Sequence, residues 1–119
     1  NWMVRWLVGK PSEKIITNQD LDLAKMILQK KVLILLTEEM NTSIDRLIRF
    51  MGWDVNLDED QKKCIDENTS KMGRHNTNSH PKLDVASEEY SLIREKNQYD
   101  ALLFDFALGL FSEQWKWIP

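Results

Sequence analysis

Val32-Leu33-Ile34-Leu35-Leu36 sets five aliphatic side chains in an unbroken row. No polar residue interrupts the run, so neither face of an extended segment here could meet water without exposing a branched side chain. A continuous apolar run this short, following an amphipathic helix, reads as a strand buried on both faces. The flanks agree with that reading. Upstream, Thr17 stands where an N-cap should, with Asp20 three residues on in the capping-box position. Leu21, Leu23, Ala24, Ile27 and Leu28 then recur at helical spacing, and Gln29-Lys30-Lys31 ends the helix with charge that its dipole favours. Downstream, Thr37 reads as a second cap, with Glu38 and Glu39 in the first turn. Met40, Ile44, Leu47, Ile48 and Met51 continue at spacings of three and four, and Gly52 stands at C′. Helix, buried strand, helix is the alternation of an α/β protein, with Val32–Leu36 as a parallel strand covered by helices.

The rest of the chain is predominantly helical in pattern. Residues 1–9 are apolar apart from Asn1 and Arg5, and Gly9-Lys10-Pro11 breaks off that piece. Residues 54–73 are acidic and polar, and they read as a solvated excursion carrying one helical turn. Ser87 caps a helix over Ser87–Lys96 whose apolar face is Tyr90, Leu92 and Ile93. Asn97 caps the last helix, Gln98–Trp115, with Asp100 at its N3 position. There Tyr99, Leu103, Phe106 and Leu110 form one stripe, and Phe104, Leu108, Phe111 and Trp115 another. A helix apolar on most of its circumference is a buried one.

Bulk properties exclude several classes. At 119 residues the chain is one domain or part of one, and opening at Asn1 rather than Met it reads as a segment of a longer protein. A net charge of −3 argues against a nucleic-acid surface. No apolar run approaches the ~18 residues of a membrane span. Cys64 is alone, so there is no internal disulfide framework. The sequons at Asn41 and Asn68 are short enough to arise by chance. None of the four glycines builds a phosphate-binding loop, and no nucleophile–His–acid set appears in a familiar order.

Two places carry candidate chemistry. Arg74-His75-Asn76-Thr77-Asn78-Ser79-His80-Pro81 has no aliphatic side chain apart from the closing proline ring. It presents a guanidinium, two imidazoles, two amides and two hydroxyls between helical segments. Such a loop suits an anion, and it equally suits an Asn-rich turn with nothing bound. Arg5, beside Trp2 and Trp6, fits a bidentate clamp on an anionic group or a structural arginine stacked on tryptophan and paired with one carboxylate. A zinc reading of Cys64, His75 and His80 lacks the fourth ligand of a structural site.

Three blocks resemble the C-terminal part of Golgi-type carbohydrate sulfotransferases, most nearly the heparan sulfate 6-O-sulfotransferase branch and its algal relatives. Asn1-x-x-Val4-Arg5-x-Leu7 is similar to that family's Asn-Arg-Gln-Val-Arg-Met-Leu. Asp22-Leu23-Ala24-Lys25 through Leu36-Thr37-Glu38, then Leu47, Phe50 and Trp53, is similar to its Ala-Lys-rich helix, apolar strand ending in Leu-Thr-Glu, and helix closing on an aromatic. Asn97-x-x-Asp100-x-x-Leu103-Phe104-Asp105-Phe106-Ala107-x-x-Leu110-Phe111 is similar to its Leu-Asn-x-x-Asp-x-x-Leu-Tyr-x-Tyr-Ala-x-x-Leu-Phe close. The blocks span most of the chain, in the family's order.

The resemblance implies a P-loop-kinase-like α/β fold, of which these residues are the C-terminal portion of a single domain. It implies 3′-phosphoadenosine 5′-phosphosulfate (PAPS) as sulfate donor, with no metal, and a carbohydrate acceptor. It also implies the Golgi lumen, with the parent a type II membrane protein. The family's loop just before its C-terminal helices closes over the nucleotide. Matching Leu83-Asp84-Val85 to the segment that precedes those helices puts Arg74 and His75 on its first contact pair, and Ser79 and His80 on its second. The family's own side chains there differ, which points to contact through the backbone. Arg5 falls on the acceptor side. The phosphosulfate loop, the 3′-phosphate Arg/Ser pair and the catalytic base have no counterpart in these residues, so the segment alone is expected to be inactive, its partner being the N-terminal half of the same domain. The alternative from a different class is a non-catalytic helical interaction module, with the Trp-rich ends as its contact surface.

Overall fold

A computed structural model of the chain describes residues 1–72 and 81–118. Its elements are α1 (Trp2–Val8), α2 (Asn18–Lys31), α3 (Met40–Phe50), α4 (Glu59–Met72), α5 (Glu88–Lys96) and α6 (Gln98–Gln114), with 3₁₀ turns at Asp54–Asn56 and Trp115–Trp117. Helix makes up 70% of the structure, and no strand occurs among the described residues.

The α/β expectation is therefore overturned. Val32 is extended, at φ −126° and ψ 129°, but Val32–Leu36 pairs with no neighbouring strand. Side chains do the work of a ladder. The Ile34 N–H donates to Gln114 Oε1 at 2.9 Å. Ser43 Oγ accepts from the Leu36 N–H at 2.8 Å and donates to the Leu36 carbonyl at 2.9 Å. Nor is the run buried on both faces: Ile34 is buried, while Leu35 is 40% exposed. The aliphatic run is compatible with a strand, but a sheet requires a second strand, and nothing in the described chain supplies one.

Local signals fared better. Thr17 caps α2 in a reciprocal box: its N–H donates to Asp20 Oδ2 at 2.7 Å and its hydroxyl accepts from the Asp20 N–H. Ser87 caps α5, accepting from the Tyr90 N–H at 3.1 Å. Gly52 takes φ 65°, and the Trp53 N–H reaches the Ile48 carbonyl while the Gly52 N–H reaches that of Arg49. That is a Schellman closure, and Gly9 ends α1 in the same way at φ 64°. Thr37, by contrast, caps nothing: α3 begins at Met40, and the Thr37 hydroxyl donates to Glu38. The polar excursion is also corrected, since α4 runs fourteen residues rather than one turn. Its apolar stripe is weak, but its start was written in Asp58-x-x-Gln61. Asp58 Oδ1 accepts from the Gln61 N–H at 2.8 Å, and Gln61 Oε1 from the Asp58 N–H at 3.0 Å.

The described residues form two compact units. The first comprises residues 1–32 and 81–110. Its core is apolar: Val4, Ile16, Leu21, Ala24, Leu28, Leu103 and Leu110 are all buried. The second comprises residues 33–72 and 111–118. Among its residues whose burial is described, Ile34 is the one buried hydrophobic residue, and the other buried side chains are Ser43 and Arg46. Hydrophobic burial supplies most folding free energy, so the second unit is the less stable. Native-state hydrogen exchange should find the α3 amides opening at lower free energy than those of α2. Equal protection in both would refute this ranking.

The α2 cap gives a pH prediction. The Lys10 ammonium, 2.5 Å from Asp20 Oδ2, and the Thr17 N–H pull the Asp20 carboxyl from its ordinary 3.8 to about 2. In this range the unfolded chain binds the proton more readily than the folded one. The associated stability is thus present above about pH 4 and is lost as pH falls toward 2. Urea denaturation between pH 5 and 2 should show a steeper loss for the wild type than for Asp20→Asn.

Candidate functional site

Arg5 lies on α1, and the position of α1 is set by an exchange of caps with α6. The Asn1 side-chain oxygen accepts from the Tyr99 N–H at 2.7 Å and the Asp100 N–H at 3.2 Å, at the start of α6. Asp100 returns the arrangement: Oδ1 accepts from the Val4 N–H at 2.9 Å and Oδ2 from the Met3 N–H at 3.0 Å, at the start of α1. Each helix leaves its first N–H groups without intrahelical partners, and each is completed by the other's side chain. The expected Asn97–Asp100 box is thereby replaced. Asn97 does sit at the cap position of α6, but its Nδ2 donates back to Ile93 and its Oδ1 accepts from the Asn1 nitrogen at 2.9 Å. The Asn1 amide also donates to the Lys96 carbonyl at 2.9 Å, tying in the end of α5.

From this anchored helix the Arg5 guanidinium reaches over the following loop. Its Nη1 donates to the Pro11 carbonyl and, at 2.7 Å, to that of Lys14. The partners are two backbone oxygens, not the carboxylate a structural arginine was expected to find. Trp2 and Trp6 stack on each other, with ring centroids 6.3 Å apart and planes 16° from parallel, and each is 66% exposed. Beside Arg5 lies an open groove of about 420 Å³, lined by Asn1, Arg5, Ser12, Glu13, Lys14 and Tyr99 among others. A group entering it would meet a guanidinium already oriented by carbonyls, with the Glu13 carboxylate and the Ser12 hydroxyl that donates to it on the same lining.

The four nucleotide-side candidates, Arg74, His75, Ser79 and His80, lie outside the described residues. Cys64 is exposed on α4, with Asn68 Nδ2 at 3.4 Å from its sulfur. No group of three His, Cys, Asp or Glu side chains is placed to hold a metal ion among the described residues.

Sequence reasoning missed Arg46. On the α3 periodicity it falls beside Leu47 as an ordinary polar position, yet it is only 2% exposed. Its guanidinium carbon lies 3.8 Å from the Phe111 ring centroid and 5.0 Å from that of Trp115. Neither Nε nor Nη1 has a hydrogen-bond partner among the described residues. Burial pulls its pKa down from the usual arginine value. The signal in the sequence is the pair Phe111 and Trp115, four residues apart on one stripe, whose spacing alone fits a pure core.

No family model matches the chain, and neither a search of curated proteins nor one of solved structures finds a match.

The cap exchange is open to a direct test. Asp100→Ala strands two N–H groups at the start of α1 and should cost about 2 kcal/mol in urea denaturation. Asp100→Asn keeps one acceptor oxygen and should cost about half as much. A loss within about 0.5 kcal/mol for the alanine variant would show that water replaces the carboxylate at no penalty.

Proposed function

We propose that this chain is the C-terminal segment of a PAPS-dependent carbohydrate sulfotransferase. The observation that supports the reading is where the resemblance residues meet. Asn1 and Val4 from the first block converge with Asn97 and Asp100 from the third, through the cap exchange. Among the polar positions of these two blocks, Asn1 and Asp100 each have a specific partner in the other block. Those are the residue types a shared architecture would require there. The support rests on these motifs and not on a sheet.

In the parent protein the sulfuryl group passes in line from the phosphosulfate oxygen to an acceptor hydroxyl. A new S–O bond forms as the old one breaks, leaving adenosine 3′,5′-bisphosphate. The hydroxyl proton goes to a base in the N-terminal half. Positioning and charge stabilisation carry such a transfer. In this reading the residues 74–80 lie on the nucleotide, and Arg5 with its groove faces the acceptor. The segment alone is inactive. The parent works in the Golgi lumen as a type II membrane protein. No helix of the described residues is long and apolar enough to cross a membrane.

A second reading, a helical module that binds another protein, is favoured by one observation. Trp2, Trp6 and Trp117 stand well exposed, at 66%, 66% and 82%.

Calorimetric titration of a protein carrying this segment behind a phosphosulfate-binding half separates the two. Arg74→Ala should weaken adenosine 3′,5′-bisphosphate binding about tenfold, the loss of one sheltered charge-assisted hydrogen bond. Acceptor affinity should hardly change. Unaltered nucleotide affinity in the triple variant Arg74/Ser79/His80→Ala would remove the loop from the site and favour the interaction module.

A further inference from the structure

The last helix leaves part of its apolar surface uncovered. Leu103 and Leu110 of α6 are buried, but Leu102, Phe104 and Leu108 are exposed, Phe104 by 50%. A helix apolar on most of its circumference is ordinarily covered on most of it. On α5 the apolar residues Leu92 and Ile93 are exposed as well, Ile93 by 55%. Ala101, Phe104, Asp105 and Leu108 recur at helical spacing and so share one face of α6. Residues of that face and of α5 together line an open groove of about 420 Å³, among them Tyr90, Ile93, Arg94, Ala101, Phe104 and Asp105. Ile93, Ala101 and Phe104 form its apolar wall. Arg94 and Asp105 are its two charges, both exposed, and neither takes an ion partner among the described residues.

We propose that this face binds a second copy of the chain about a two-fold axis. An occupant of the groove must bring an apolar side chain to fill it, a carboxylate for Arg94 and a cation for Asp105. The groove carries all three on its own lining, as Phe104, Asp105 and Arg94. A two-fold axis is the operation by which a surface meets itself, so that residue i contacts j and j contacts i. It sets Arg94 against Asp105 of the second copy, and Asp105 against Arg94 of that copy. Four charges without ion partners become two pairs, and Phe104 of each copy enters the other's groove. Ala101, one turn before Phe104, lets the helices approach closely. A partner surface of uniform charge would meet a like charge at one of the two positions, which disfavours it. The apolar contact supplies the affinity, and the exposed pairs fix register and partner. The patch is small for a specific interface, so the dimer is weak, with a dissociation constant roughly in the tens of micromolar. The inference draws on α5 and α6 alone and stands whether or not the sulfotransferase reading does.

The test is sedimentation equilibrium of the whole chain from about 5 µM to about 1 mM, a range that brackets such a constant. The weight-average mass should climb from 14.1 kDa toward twice that value. Arg94→Asp places carboxylates on both sides of each pair, and Asp105→Arg places guanidinium groups there. Each variant alone should therefore associate at least about tenfold more weakly than the wild type. An equimolar mixture of the two should recover the wild-type affinity, because each copy then supplies the charge that the other lacks. From a net charge of −3, either exchange moves the chain by two charges, so both variants stay net negative. General attraction between them thus cannot produce the recovery. Phe104→Ser should abolish the dimer with the helical circular dichroism unchanged, since the ring is exposed in the single copy. A wild type that stays monomeric to about 1 mM overturns the proposal. So does a dimer that survives Phe104→Ser, or a mixture that associates no better than its components. Should a variant fail to fold, concentration-dependent amide shifts of the wild type decide. They should centre on residues 92–108, and shifts centred on Trp2, Trp6 or Trp117 would assign the association to the tryptophan surfaces instead and overturn it.

Discussion

Asn1 and Asp100 hold the first unit together by solving one problem twice. Every helix begins with N–H groups that its own backbone cannot satisfy. Here the start of α6 is completed by a side chain from the start of α1, and the start of α1 by a side chain from α6. Both helix starts must be in place for either to be satisfied, so the contact is cooperative in a way that two independent caps would not be. It also places negative charge at the positive end of α1, where the dipole favours it. The consequences run outward. With α1 fixed, Val4 is pinned in the core, and Arg5 projects over the loop that leads to α2. That loop ends at Thr17, where Asp20 closes a second reciprocal box and takes Lys10 as its ion partner. Two of these contacts lie on the groove beside Arg5: Asn1 with Tyr99, and Arg5 with the Lys14 carbonyl.

The second unit follows a different logic. Its extended segment is held by Ser43 and Gln114 rather than by a neighbouring strand, and its helix α3 turns two polar residues, Ser43 and Arg46, inward on one face. Spacing of three along a helix places them one above the other. One of the two is completely satisfied and the other is not. Ser43 makes both hydrogen bonds to the backbone of one residue, Leu36, and so acts as a short piece of ladder. Arg46 contributes packing through its stem and faces, and its Nε and Nη1 are buried without a hydrogen-bond partner among the described residues.

How much of this could be read from the residues depends on the range of each interaction. Caps and closures formed within four residues were legible. Thr17 with Asp20, Ser87 and Gly52 each act on backbone next to them, so sequence and structure carry the same information. Asp58-x-x-Gln61 carries it too, although the apolar stripe of the helix it starts, α4, is weak. Asp100 shows the limit. An acidic residue at N3 ordinarily reaches its own N-cap, and nothing within the helix tells it to reach Met3 and Val4 instead. The choice is made by a partner almost the whole chain away. Val32–Leu36 fails for a related reason. Five aliphatic residues specify an extended, apolar segment, but whether its amides meet another backbone or the side chains of Ser43 and Gln114 is decided elsewhere. Of the candidate site, Arg5 was placed by sequence, while its carbonyl partners were not.

Arg46 marks where periodicity misleads in the opposite direction. A helical pattern assigns charged residues to the solvent side because an unpaired buried charge is costly. That inference fails when the aromatic residues meant for the core are themselves the binding surface. Phe111 and Trp115 were assigned to a hydrophobic interior on their spacing, and the spacing is right, since both face one helix. What lies between them and that helix is a guanidinium rather than a leucine. An aromatic pair at i and i+4 is therefore ambiguous in sequence: it can be a packing stripe or the walls of a cation site. The ambiguity is resolved only by a helix that presents arginine to it. In this chain α3 presents two, Arg46 beneath and Arg49 outside, so a surface that composition would class as apolar is among the most cationic places in the second unit.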